Sequence, residues 1–196
     1  MIIVLDKQNE REALRLAKEK FRNGEVMIVP FDTVYGFICN PFDDKAIKKV
    51  YSLKNRPISK TIGLAFDKLS MASKFIRIDK PKLNFIKNHT PGPYTFILPS
   101  KSKKLSSHCL QNETCAIRFP KTDFIIKLLR VCGGIVAQTS ANKSAESSCF
   151  SLEQVLNQFK ASELDDLLVI DMGPIKSPGP SQLIDLSGSS PRMIER

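Results

Sequence analysis

Apolar runs of three to five residues recur along this chain and are separated by segments with helical periodicity. Residues 26–29, 62–66 and 135–137 are examples, and each has the length of a buried strand. Strands that alternate with helices in this way are typical of α/β domains. We therefore predict an α/β fold in which helices flank one twisted, mixed β-sheet.

The size of the chain favours one folding unit. Its 196 residues, 42% of them hydrophobic, suit one sizeable core, and neither a linker nor an internal repeat divides them, so we predict a single domain over residues 1–196. No apolar run has the length of a transmembrane helix, so no membrane partner is expected. Residues 1–6 lack a basic leader and predict a first strand rather than an export signal, which favours the cytoplasm.

The cysteines argue against two kinds of stabilising site. The chain has five, none of them in a Cys-x-x-Cys pair, and only two histidines that could join them. An odd number with such spacing fits neither a disulfide framework nor a zinc site. We predict free thiols in a reducing compartment and no metal site.

A dense basic stretch lies at residues 54–60, where Lys54, Arg56 and Lys60 fall within seven residues. Pro57 disfavours helix at the preceding residue, so the helix that begins behind Asp43 should end near Arg56. The formal charge of +10 favours an anionic partner, whether nucleotide, nucleic acid or acidic surface. From these residues alone, a phosphate site and a solvated basic turn both remain open.

Polar residues follow several of the predicted strands, notably Thr33 and Ser140, and Ser181 precedes the strand at 182–186. Ligands of open α/β sheets bind outside the carboxyl ends of strands, so these residues could converge on one crevice. Arg118 lies inside an apolar strand and needs either an internal carboxylate or an anionic ligand, because an unpaired buried charge is costly. The chain has no P-loop, no dinucleotide-binding glycine motif and no hydrolase triad.

Five segments together resemble the YrdC-type threonylcarbamoyl-adenylate synthases in order and spacing. They are PFDTVYG at 30–36, KNRP at 54–57, PGPYTF at 91–96, AIRFP at 116–120 and SAN at 140–142. The likeness runs from about residue 26 to residue 196 and is to the short bacterial form, a single YrdC-like domain with a basic concave face. Members of this family join L-threonine, bicarbonate and ATP into threonylcarbamoyl-AMP and release pyrophosphate.

The resemblance implies a nucleotidyltransferase that needs no covalent nucleophile, with Mg²⁺ bridging phosphate oxygens. Other proteins would then transfer the threonylcarbamoyl group to tRNA. By position in the motifs, the residues implied at ATP are Lys54, Arg56, Lys60, Thr114, Ser140, Asn142, Ser148 and Arg196. Those implied at threonine are Thr33, Arg118 and Ser181.

One departure from the family pattern bears on specificity. Phe31 stands where the family usually has a threonine whose hydroxyl is expected to help hold the substrate. Thr33 would point to the same side of an extended segment and could substitute. ATP binding is therefore a firmer expectation than threonine specificity.

Two other functions remain open at this point. One is a divergent, non-catalytic paralogue that binds double-stranded RNA or tRNA through its basic face, which Lys101, Lys103 and Lys104 would widen. The other is a ligase for a different small amino acid or carbamoyl donor, which Phe31 could permit.

Overall fold

The computed structural model describes residues 1–176 and 179–195. Within these ranges the helices are α1 (Glu10–Arg22), α2 (Asp44–Lys54), α3 (Leu69–Ala72), α4 (Lys80–His89), α5 (Asp123–Val131), α6 (Leu152–Gln158) and α7 (Ala161–Leu164), with a short 3₁₀ helix at Ser107–Cys109. The strands are β1 (Ile2–Val4), β2 (Met27–Pro30), β3 (Tyr35–Cys39), β4 (Gly63–Phe66), β5 (Tyr94–Pro99), β6 (Thr114–Arg118), β7 (Ile135–Ser140), β8 (Leu168–Asp171), β9 (Gln182–Asp185) and β10 (Arg192–Ile194).

The strands form one sheet in the order β1-β8-β2-β3-β7-β4-β6-β5-β9-β10. The pairs β1–β8, β2–β8, β4–β6 and β5–β9 are parallel. The pairs β2–β3, β3–β7, β4–β7, β5–β6 and β9–β10 are antiparallel. The predicted α/β fold with a mixed sheet and flanking helices is therefore confirmed.

Local signals in the sequence explain the bounds of α2. The carboxylate of Asp43 accepts hydrogen bonds from the backbone N–H groups of Lys45 at 2.9 Å and Ala46 at 3.2 Å, which caps the first turn. Asn55 ends the helix in the left-handed conformation with φ of 49°. The helix therefore stops just before Arg56, close to the predicted end.

Two hydrophobic cores lie on opposite sides of the sheet. The smaller core joins α1 and α5 to β2, β4, β7 and β8. The larger core contains Phe96, Leu98 and Ile117 from β5 and β6, together with residues of α2, α4 and α6. Since side chains alternate along a strand, Thr95 and Arg118 point to the side of the sheet on which α1 and α5 lie. Both residues line a cavity.

Two elements have little signal in the sequence. The Pro, Asp and Gly residues at and before the start of the strand β3 are typical of turns and obscure it. All five of its residues are buried, so it shows no alternation of apolar and polar side chains. The four-residue helix α7 is too short to give a periodic signal. In the described part of the chain, no helix combines the length and apolarity that crossing a membrane requires.

Candidate nucleotide and amino-acid site

The candidate site is a cavity of about 540 Å³ on the side of the sheet where Thr95 and Arg118 point. It is walled by the β2–β3 turn, the loop after α2, the end of β7 and the start of β9. Six residues predicted from the sequence line it: Thr33, Arg56, Lys60, Arg118, Ser140 and Ser181. Residues far apart in the chain thus meet at one place. This agrees with the prediction that polar residues near the ends of strands converge on one crevice.

Arg118 joins two walls of the cavity. Its Nη2 donates to Oδ1 of Asp32 at 2.6 Å, and its Nη1 donates to Oγ1 of Thr33 at 3.0 Å. The guanidinium carbon lies 5.2 Å from the centre of the Phe31 ring, a cation–π arrangement. The internal salt bridge that the sequence left open is therefore present, and it fixes the orientation of a guanidinium that also borders the cavity.

Arg56 shapes the basic loop. Its Nε donates to the carbonyl oxygen of Lys60 at 2.9 Å, and its Nη2 donates to that of Thr61 at 2.7 Å. The hydroxyl of Tyr51 donates to the same Lys60 carbonyl at 2.9 Å. Burial lowers the pKa of Arg56 from its ordinary value, but a guanidinium remains charged at neutral pH. The loop after α2 is thus held in one shape with two cations at the cavity.

Lys54 lies behind the cavity rather than in its wall. Its side chain is 1% exposed, and its ammonium donates to the carbonyl oxygens of Ser140 and Asn142, the latter at 2.6 Å. Burial, with a smaller contribution from the charge of Arg56, lowers the pKa of Lys54 to about 7. The last turn of α2 aims this side chain under the loop that follows β7, and its direct contact with a nucleotide stays a prediction.

Asn142 also lies behind the cavity, next to Lys54. It is buried, and its side-chain amide donates to the carbonyl oxygens of Lys143 and Glu146, both at 2.8 Å. These bonds close the loop that follows β7 around the ammonium of Lys54. Lys54 and Asn142 together hold Ser140 in place, and neither is among the residues that line the cavity.

The remaining predicted residues lie farther away. Thr114 opens β6 on the same side of the strand as Arg118, and its hydroxyl donates to the carbonyl of Gln111 at 2.7 Å. Gln111 lines the cavity, whereas Thr114 is next to it. Ser148 is half-buried in the loop before α6 and is not among the lining residues. Arg196 falls outside the described residues.

Several lining residues were not anticipated from the sequence. Thr95 faces Arg118 across the β5–β6 pair, and its hydroxyl is 2.7 Å from that of Ser181. Gln138 precedes Ser140 by two positions on β7 and so lies on the same face. Thr95 falls inside the PGPYTF segment and could have been found there. Gln138 could have been found by extending the strand at residues 135–137, since alternate residues share one side.

The lining chemistry suits an anionic ligand. Arg56, Lys60 and Arg118 supply positive charge, and hydroxyl groups between them can donate hydrogen bonds to phosphate or carboxylate oxygens without adding charge. Among the described lining residues there is no carboxylate. The described residues also hold no cluster of three or more His, Cys, Asp or Glu side chains that could bind a metal ion.

Comparison with known proteins agrees with this geometry. A family model named for Sua5, YciO and YrdC, with the description "telomere recombination", matches residues 19–196. The threonylcarbamoyl-AMP synthase of Mus musculus is 32% identical over 183 residues, covering 90% of this chain and 63% of the mouse protein. That of Histophilus somni strain 2336 is 33% identical over 173 residues, covering 86% of this chain and 91% of its own. This chain thus spans less than two thirds of the mouse relative.

Solved structures show the same fold over the full chain. Sua5 of P. abyssi in complex with L-threonine superposes with a TM-score of 0.89 at 27% identity, covering 100% of this chain and 57% of that one. YciO of E. coli superposes with a TM-score of 0.84 at 26% identity, covering 100% of this chain and 93% of that one. With a family match over residues 19–196 as well, this chain is a member of the Sua5/YciO/YrdC family.

Proposed function

We propose that this protein is an L-threonylcarbamoyladenylate synthase, a nucleotidyltransferase that makes threonylcarbamoyl-AMP and pyrophosphate from L-threonine, bicarbonate and ATP. The observation that carries the proposal is the meeting of Arg56, Lys60 and Arg118 at one cavity among hydroxyl groups. The printed names of the mouse and H. somni relatives, and the L-threonine bound to P. abyssi Sua5, support it.

The two halves of the cavity suit the two larger substrates. Arg56, Lys60 and Ser140 would hold the triphosphate, with Lys54 and Asn142 supporting Ser140 from behind. Thr33, Arg118 and Ser181 would hold threonine, whose carboxylate matches the planar guanidinium of Arg118. The assignments of Thr114, Ser148 and Arg196 to the nucleotide remain predictions.

The chemistry requires positioning more than a reactive side chain. The amine of threonine combines with bicarbonate to give a carbamate and water. A carbamate oxygen then attacks the α-phosphorus of ATP, and pyrophosphate leaves. Fixed cations lower the barrier by stabilising charge on the phosphoryl oxygens, and losing one such group typically costs on the order of 10²–10³ in rate.

Mg²⁺ would enter this site with its substrate. Because carboxylates are missing from the lining that the structure describes, a Mg²⁺ ion would be bound through phosphate oxygens and water rather than by a protein cluster. The ion would screen the negative charge of the triphosphate.

Threonylcarbamoyl-AMP would be passed in the cytoplasm to proteins that transfer its threonylcarbamoyl group to tRNA. Double-stranded RNA or tRNA is a further partner to test. The function is therefore one step in tRNA modification.

Pyrophosphate release tests the proposed reaction directly. We expect release to require threonine, bicarbonate and ATP together, with each omission abolishing it. Lys60→Ala should slow the reaction by roughly 10²-fold or more. The matched control Lys18→Ala, an exposed lysine of α1, should leave the rate unchanged. Release that does not depend on threonine would refute the synthase and favour another amino-acid substrate.

A second function stays open because the positive charge extends beyond the cavity. A non-catalytic family member that binds RNA would give no adenylate product under any substrate combination. It would still bind RNA with an affinity that falls steeply with salt. The pyrophosphate assay and an RNA titration on the same preparation separate the two functions.

A further inference from the structure

The positive charge of this protein is concentrated in one third of the chain. Residues 42–104 contain 15 of the 30 lysines and arginines but only four of the 20 aspartates and glutamates. The rest of the sequence is close to neutral. Only a few of these cations belong to the cavity, so the remainder needs a separate explanation.

Two segments bring five of these cations together. The backbone N–H of Arg77 donates to the carbonyl of Pro99 at 2.9 Å, and that of Lys101 donates to the carbonyl of Phe75 at 2.8 Å. A β-bridge between Ile76 and Ser100 joins the same two segments. Neighbouring cations on both segments are therefore close in space. We call this surface the lysine-rich face, formed by Lys74, Arg77, Lys101, Lys103 and Lys104.

The side chains of the lysine-rich face are available to a partner. All five residues are exposed. Within residues 1–176 and 179–195, none of the five forms a salt bridge. The nearby carboxylate of Asp79 is paired with Lys82 at 3.4 Å, so it does not neutralise the lysine-rich face. The five exposed cations repel one another, and a bound polyanion would relieve that repulsion.

This face lies on the other side of the sheet from the cavity. Phe75 and Ile76 pack into the core that contains Phe96 and Leu98 of β5. Thr95 and Ile97, the alternate residues of the same strand, line the cavity. A ligand on the lysine-rich face would therefore not occupy the cavity.

Two further features adjoin the lysine-rich face. An open groove of about 560 Å³ is lined by three cations, Arg77, Lys82 and Lys101, and by one carboxylate, Asp79. Phe42 is 44% exposed, and its ring centre lies 5.8 Å from that of Phe75. An exposed aromatic ring beside a basic groove can stack on an unpaired base while the cations bind phosphates.

We propose that the lysine-rich face binds the sugar–phosphate backbone of a folded RNA, with Phe42 as a stacking surface for an unpaired base. The choice of RNA as the polyanion rests on the proposed function, whose product is used to modify tRNA. The location differs from the concave face expected from the sequence. RNA and ATP would then bind on opposite sides of the sheet and would not compete.

The test uses the full chain and an unmodified tRNA transcript, with binding followed by fluorescence anisotropy over a salt series. The triple variant K101A/K103A/K104A should bind at least tenfold more weakly. Its slope of log affinity against log salt should be smaller by about 2–3, since each lost phosphate contact removes about 0.7–0.9. The matched control R11A/K18A/R22A removes the same charge from exposed positions of α1 and should bind within about twofold of the unaltered protein.

Two additional measurements separate the location from general charge effects. K74A/R77A should weaken binding in the same way, and Phe42→Ala should weaken it without changing the salt slope. Pyrophosphate release by K101A/K103A/K104A should equal that of the unaltered protein, so that failure of the RNA proposal and failure of the synthase proposal give different results.

Three outcomes would overturn the proposal. Equal losses in the lysine-rich and α1 triples would mean that only net charge matters. Displacement of the tRNA by a saturating non-hydrolysable ATP analogue would place the RNA at the cavity. Binding to anionic phosphatidylserine vesicles that depends on these lysines, with no dependence for tRNA, would assign the face to a membrane surface.

Discussion

Asp32 accepts a hydrogen bond from Arg118 at 2.6 Å and so joins the turn after β2 to the end of β6. The two residues are 86 positions apart, and their side chains are 12% and 3% exposed. Arg118 belongs to the cavity, so this ion pair links the stability of the fold to the shape of the site.

Removing one member of this pair should cost more than removing both. Arg118→Met leaves the carboxylate of Asp32 buried without its cation, and loss of one partner of a buried pair typically destabilises by about 3–5 kcal/mol. Adding Asp32→Asn should recover part of that loss because the uncompensated charge is gone. Urea unfolding of the two single variants and the double variant measures the coupling. Arg15→Met, at an exposed pair on α1, is the control and should change stability little. Additive effects of the two cavity substitutions would contradict this.

Lys54 should support the loop after β7. Lys54→Met keeps a similar length but removes the donor to the carbonyls of Ser140 and Asn142, and each buried acceptor left unsatisfied costs about 1–3 kcal/mol. We expect lower stability and weaker ATP binding by calorimetry. The control Lys48→Met changes an exposed residue of the same helix and should have neither effect. Unchanged ATP affinity in a destabilised Lys54→Met would show that the loop does not contribute to the nucleotide site.

The pKa of Lys54 predicts a pH dependence of stability. It is about 7 in the folded protein and about 10.4 in an unfolded chain, so the unfolded state binds more protons between these values. The free energy of unfolding contributed by this group therefore rises with pH above 7, by up to about 1.4 kcal/mol per pH unit. Urea midpoints of the unaltered protein minus those of Lys54→Met, measured from pH 7 to pH 9, should increase. A flat difference would mean that the carbonyl acceptors keep the ammonium charged.

Phe31 should act on stability more than on substrate choice. It is 3% exposed, lies in the core formed by α1 and α5, and covers the guanidinium of Arg118. Phe31→Thr should cost on the order of 3 kcal/mol through the lost packing, without tightening threonine binding. Phe31→Leu keeps an apolar side chain and should cost less. Calorimetric titration with threonine checks affinity, and a gain of tenfold or more in Phe31→Thr would show that Phe31 obstructs the amino-acid site.

The cysteines should be inert in the folded protein. All five are free and buried, and burial raises the pKa of each thiol, to about 12 for Cys109, Cys115 and Cys132. We expect a thiol reagent at pH 8 to label none of them until denaturant is added, after which five thiols per chain react. Fast labelling of one site under native conditions would reveal local opening there.

Much of the local structure follows from short-range signals. The helix α2 begins directly after Asp43 and ends at Lys54, within about two residues of its predicted bounds, because caps and prolines act over a single turn. The positions of Thr33 and Ser140 are recognisable for a similar reason, since polar residues within a few positions of the end of an apolar run are a local pattern. That these loops meet at one cavity followed from the α/β class and was then found in the fold.

Long-range pairing decided the rest. The strand β3 exists because it pairs with β2 on one side and β7 on the other, and the second pairing spans about a hundred residues. Lys54 is buried behind the cavity because the loop after β7 supplies carbonyl acceptors 86 and 88 positions away. Local patterns thus specified where helices form, and the residue types alone specified which positions carry charge. Contacts between distant segments decided which of those charges are buried, which border the cavity and which lie exposed on the opposite side, because burial depends on what the folded chain brings alongside each residue.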